Sequence, residues 1–149
     1  MDDRYQGLPD PETHDAFYAD LPTKRLLAWV VDSLAIALLT LLLLPLTLFT
    51  AFFFLPFFWL LVGLAYRIVT LTNRSATPGM RMMSVEIRQG DGSALDLGTA
   101  TVHTILYALF SGFFLIQLVS IVLMLTTERR QGLPDMILGT SAINLSASY

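Results

Sequence analysis

Between Asp32 and Arg67 the chain runs for thirty-four residues, Ser33 to Tyr66, without one charged side chain. As a single helix this stretch would measure roughly 50 Å at about 1.5 Å per residue, whereas the hydrocarbon core of a bilayer is about 30 Å thick. The chain must therefore turn back. A turn centred near Phe49 and Thr50 leaves Asp32 and Arg67 each about seventeen residues from it, so a hairpin would return both to the same depth.

The 149 residues are 54% hydrophobic and 14% charged, well below the roughly 25% charged residues of soluble domains, which points to one membrane domain. The net charge of −3 is unevenly spread: six acids and the single Arg4 lie before Leu21, so the remainder carries about +2. Residues 1–20, with Pro9 and Pro11 and few apolar side chains, are expected to form a disordered acidic tail. Their charge does not fit a secretory signal, so the first apolar helix is expected to remain in the mature protein. The absence of cysteine excludes disulfides and thiolate sites. No basic face argues for nucleic acid.

Leu21-Pro22-Thr23 reads as a helix start, with Lys24 and Arg25 at the water boundary. The pattern predicts helices over about 26–49 and 51–71, with Pro45 and Pro56 near the outer turn, where a missing backbone donor costs less. Phe49, Phe52, Phe53, Phe54, Phe57, Phe58 and Trp59 crowd that turn as aromatic anchors. Residues 72–96 form a polar loop with turn signals at Thr77-Pro78-Gly79 and Gln89-Gly90-Asp91-Gly92. Alternation over Met83 to Arg88 predicts a short strand or β-hairpin, and Thr140 to Leu145 a further strand. Lys24, Arg25, Arg74, Arg81 and Arg88 fall on one side of the hairpin, which the positive-inside rule makes cytoplasmic, together with the N-terminus. A second uncharged run, Leu97 to Thr127, accommodates a third membrane helix over about 99–127, either as one span or as a re-entrant pair broken at Ser111-Gly112. The expected fold is thus an all-α polytopic membrane protein: a transmembrane hairpin, a third helical membrane segment and a small cytoplasmic loop or β-hairpin, all within 21–145.

Asp32 lies about six residues inside the first helix, where an isolated carboxylate costs up to about 3 kcal/mol on insertion scales. Two partners are open. Arg67 is brought level with it by the hairpin. Arg25, seven residues before it, shares its helix face but stands about 10 Å away along the axis. Arg67 could instead snorkel to the interface. Asp32 itself could be a structural ion-pair member or a protonatable site. His103 and the tail residue His14 do not make a metal site, and no phosphate cradle, nucleophile elbow or cofactor motif occurs.

Three motifs in order carry a family resemblance. Lys24-Arg25-Leu26-Leu27-Ala28-Trp29-Val30-Val31-Asp32, then Thr77-Pro78-Gly79-Met80-Arg81 followed by Val85 to Gly98, then Arg130-Gln131-Gly132-Leu133-Pro134-Asp135 through Thr140 resemble the RDD family of small bacterial membrane proteins, named for one arginine and two aspartates. Met80, His103 and Pro134 stand where that family commonly has Lys, Arg and His, and Arg67 lies outside its usual pattern. The resemblance implies a charge cluster of Arg25, Asp32 and Asp135, with Thr77, Gly79 and Arg81 as the loop motif, and Arg67 is read as a local replacement for the positive charge lost from that pattern. It also implies a bacterial inner membrane and, for some members, sodium or proton antiport.

Two function classes follow. Cation/proton transport would use the cluster of Arg25, Asp32 and Asp135 near the cytoplasmic face, with Asp32 exchanging proton for cation, in a homo-oligomer because three helices enclose little. A non-enzymatic structural or assembly subunit, partnered by another membrane protein, would use the same charges to lock its helices. No acid, base and nucleophile converge for an enzyme, and no cofactor is expected.

Overall fold

The computed structural model describes residues 3–147. Helix α1 (Leu21–Leu43) starts with Pro22 in its first turn, and α2 (Leu55–Arg74) with Pro56, both where the missing N–H has no intrahelical partner to lose. Short 3-10 turns at Leu44–Thr47 and Thr50–Phe54 make the connection, and Leu48 and Phe49 take positive φ between them. Two helical stretches are long and apolar enough to cross a membrane, and their residues are mostly exposed on the isolated chain. Leu38, Leu41, Leu42 and Phe53 point outward with nothing of this chain over them, as a bilayer requires and water would penalise.

The core lies at the other end. Helix α3 (Pro78–Met82), strand β1 (Val85–Gln89), helix α6 (Leu133–Leu138) and strand β2 (Thr140–Asn144) form a small cap around the buried Leu21, Leu71, Met80, Val85, Ile87, Ala100 and Ile143. The two strands pair antiparallel with Ile87 opposite Ala142. The two predicted strands, fifty residues apart, are partners, while the predicted turn at Gln89-Gly90-Asp91-Gly92 folds the chain back only as far as a single antiparallel bridge between Arg88 and Ala94.

That pairing decides the path of the segment between. Helix α4 (Leu97–Ser111) and helix α5 (Phe114–Thr126) meet at a 118° bend. At about 1.5 Å per residue they measure roughly 22 and 20 Å, each short of a bilayer core. Because β1 precedes α4 and β2 follows α5, the bent pair leaves from and returns to one face. A pair bent in this way is either a broken span or a re-entrant loop. The helix predicted over 99–127 is two helices.

The acidic segment departs from its expected disorder. All five residues of β2 are buried, because α6 covers one side and the N-terminal segment the other. Asn144 Nδ2 donates to Ala16 O and Ala19 O at 2.9 and 2.8 Å, and Leu8, Phe17 and Tyr18 are buried. Those apolar contacts and backbone bonds offset the ordering entropy that composition alone leaves uncompensated. Helix α1 also begins at Leu21 rather than 26, its first turn sitting in the cap.

The chain has no cysteine, so single-cysteine labelling reads this topology directly. Ser93→Cys and Ser146→Cys are expected to react with a membrane-impermeant maleimide from the same side of sealed vesicles. Labelling from opposite sides would mean that α4 and α5 together cross the membrane.

Candidate functional site

Asp32 is almost fully buried on α1. Its Oδ1 accepts from the Tyr66 hydroxyl at 2.8 Å and from the Gly79 amide at 2.9 Å, and its Oδ2 from the Thr77 hydroxyl at 2.5 Å. Thr77 is the N-cap of α3, its oxygen accepting from the Met80 amide at 3.2 Å. Pro78 follows at the first helical position. This turn presses on α1 so closely that a Cβ at Gly79 would fall 2.3 Å from Ala28 O and 2.9 Å from the Asp32 carboxyl. Glycine is required for contact here. The Asp32 carboxylate thus ties α1 to α2 through Tyr66 and to the loop through Thr77 and Gly79.

Asp135, in the first turn of α6, is fully buried. Arg25 Nη1 donates to Oδ2 at 2.6 Å, His103 Nε2 to Oδ1 at 2.8 Å, and the Thr140 hydroxyl to Oδ1 at 3.0 Å. The Gly132 amide also reaches Oδ2 at 3.2 Å, so the carboxylate serves the N-terminus of its own helix as well. Four elements meet at one side chain. A carboxylate only accepts, so His103 carries its proton on Nε2, while the buried Nδ1 has no partner among the described residues. Burial pushes the Asp135 carboxyl up, but the Arg25 guanidinium and the His103 hydrogen bond outweigh it and hold it well below the usual carboxylate range.

Arg67 pairs with neither aspartate. Its guanidinium lies 4.1 Å from the centre of the Tyr107 ring, a cation over an aromatic face inside the α2–α4 packing, and its Nε is buried without a hydrogen-bond partner. It nonetheless stands within electrostatic reach of Asp32, Arg25 and Asp135. Both pairings considered for Asp32 are therefore replaced: Arg25 reaches past it to Asp135, and neutral donors take its oxygens. Arg81 is exposed on α3 and makes no ion pair among the described residues, so it lies outside the cluster that Thr77 and Gly79 join. Sequence reading passed over Tyr66 and Tyr107, whose partners lie 34 and 40 residues away, and took Thr140 as the end of a motif and the start of a strand without its bond to Asp135. Only Tyr66, next to Arg67 in the uncharged run, carried a positional hint. Among the described residues no group of three His, Asp or Glu side chains is placed to hold a metal ion.

Two long apolar helices, a bent helix pair and a cap held by buried aspartates define a helical membrane protein. The RDD family model matches residues 19–139, from the end of the acidic segment through α6, and the chain belongs to the RDD family. No curated protein and no solved structure matches it.

Two expectations test this site. Gly79→Ala is expected to lower stability by about 2 kcal/mol or more, because α3 must lift off α1; unfolding in detergent, followed by tryptophan fluorescence, measures it. Asp135 has a folded pKa below its unfolded value of about 3.9, so its contribution is complete above about pH 4 and is lost as pH falls further. Asp135→Asn is expected to cost about 3 kcal/mol at neutral pH by stranding Arg25, and to flatten the stability profile below pH 4. An unchanged acid limb in the variant would remove Asp135 as its source.

Proposed function

We propose that this chain is a non-enzymatic integral membrane module of a bacterial inner membrane, its cap and N-terminus cytoplasmic, which works by assembling with a second copy or another membrane protein. The observation that carries the reading is how far this chain's own donors fill both carboxylates, Asp135 completely and Asp32 all but one position. Asp32 accepts three hydrogen bonds and Asp135 four, all from this chain. A carboxylate has about four lone-pair positions, so little is left for a passing cation. The grooves along the hairpin are apolar, one lined by Leu39, Leu43, Leu61, Val62 and Val69. The re-entrant path supports the orientation: it brings Arg129 and Arg130 to the end that carries Lys24, Arg25, Arg74, Arg81 and Arg88.

Cation or proton exchange is the second reading, and one observation favours it. Asp32 is held by neutral donors only, while the nearby Arg67 is bonded to no carboxylate, so a membrane-embedded acid and a membrane-embedded base stand close without neutralising each other directly.

Proton and sodium flux in proteoliposomes separates the two. Wild-type protein and Asp32→Asn protein, both checked for folding and insertion, are expected to give flux indistinguishable from empty vesicles. Sodium-dependent proton movement in the wild type that disappears in Asp32→Asn would overturn the assembly reading and make Asp32 a transport site.

A further inference from the structure

The start of the chain crosses the cap in a seat built for it at the level of the backbone. Four of the nine glycines in the sequence line that contact. The Gly7 amide donates to Gly90 O at 2.9 Å. A Cβ at Gly90 would fall 1.7 Å from Arg4 O, one at Gly7 1.8 Å from the Asp91 carbonyl, and one at Gly92 2.4 Å from Gly7 O. Gly139, with φ of +71°, closes the far side, its missing Cβ leaving room for the Arg4 guanidinium. Two loops remote in sequence have thus been stripped of side chains where residues 4–7 lie.

Side chains add direction. Arg4 Nη2 donates to Met136 O and Ile137 O, each at 3.2 Å, so the only cation of the acidic segment rests on the carbonyl end of α6, where the helix dipole favours positive charge. The Tyr5 hydroxyl accepts from Gln131 Nε2 at 3.1 Å, and its ring receives the Arg129 guanidinium at 4.7 Å. Gln131 Nε2 also donates to Thr140 O at 2.6 Å. Arg4 and Tyr5 therefore grip the two ends of α6, and α6 carries Asp135.

We propose that residues 4–8 are a latch peptide: the glycine-lined seat recognises a short segment presenting an arginine followed by an aromatic residue, is filled in this chain by Arg4 and Tyr5, and its occupancy holds α6 in register with Arg25 and His103. Releasing the latch opens a peptide-binding surface on the cap and loosens the helix under Asp135, while the membrane hairpin stays as it is.

Hydrogen exchange on full-length protein in lipid nanodiscs tests this with two variants. Arg4→Ala/Tyr5→Ala removes the grip and leaves the seat intact; Gly90→Ala fills the seat and leaves the grip residues intact. Both are expected to raise exchange over residues 133–144 by about tenfold, the scale of a local opening, with residues 26–43 unchanged. An acetylated peptide with the sequence of residues 3–9 is expected to restore protection in Arg4→Ala/Tyr5→Ala and not in Gly90→Ala. Unchanged exchange over 133–144 in the double variant, exchange rising equally along the whole chain, or no rescue by the peptide in that variant would each overturn the latch. Should Gly90→Ala not fold, the double variant with and without peptide decides alone.

Discussion

A carboxylate withdrawn from water at the edge of a membrane must find its hydrogen bonds within its own protein, and the architecture follows from how Asp135 does so. Its donors come from α1, α4, the turn before α6 and the start of β2. None of these is near another in sequence except the last two. Arg25 and His103 take opposite oxygens of one buried carboxylate, so α1 and α4 are both tied to α6. The strand after α6 is then delivered to β1. Breaking such a pair from one side costs about 3–5 kcal/mol because a charge is left stranded, a large share of the stability of a domain this size.

Asp32, about two helix turns beyond Arg25 on α1, follows a different logic. It holds hydroxyls and an amide rather than a cation, and the geometry is enforced by contact, since the loop lies on α1 with no space for even a methyl group at Gly79. The two aspartates divide the work. One gathers the cap by charge, the other seats the loop by shape, and Arg67 stands within reach of both while resting on Tyr107.

Some of this was legible in the residues. The length of the uncharged run dictated a hairpin, alternation marked the two strands, and Thr77-Pro78-Gly79 announced a cap and a turn. Those signals are local, set by periodicity and by the backbone preferences of a few residue types. The partners of the charges were not legible, because two cations and three neutral donors are chemically adequate for either aspartate and only packing chooses among them. The order of the N-terminal segment was hidden for another reason. Composition counts apolar side chains, whereas this segment is held largely by backbone contacts between glycines 83 residues apart and by four buried residues, Leu8, Pro9, Phe17 and Tyr18, spread over eleven positions.

On a re-entrant path, the bend between α4 and α5 gives the molecule unequal ends within the bilayer. Near the cap, four helical segments displace lipid; near the Phe-rich turn only two do. The cross-section therefore tapers from one leaflet to the other, and acyl chains must tilt inward around the narrow end to fill the difference. Neighbouring wedges placed side by side share that packing cost, so the bilayer itself draws copies of such a shape together or toward regions already curved to match it.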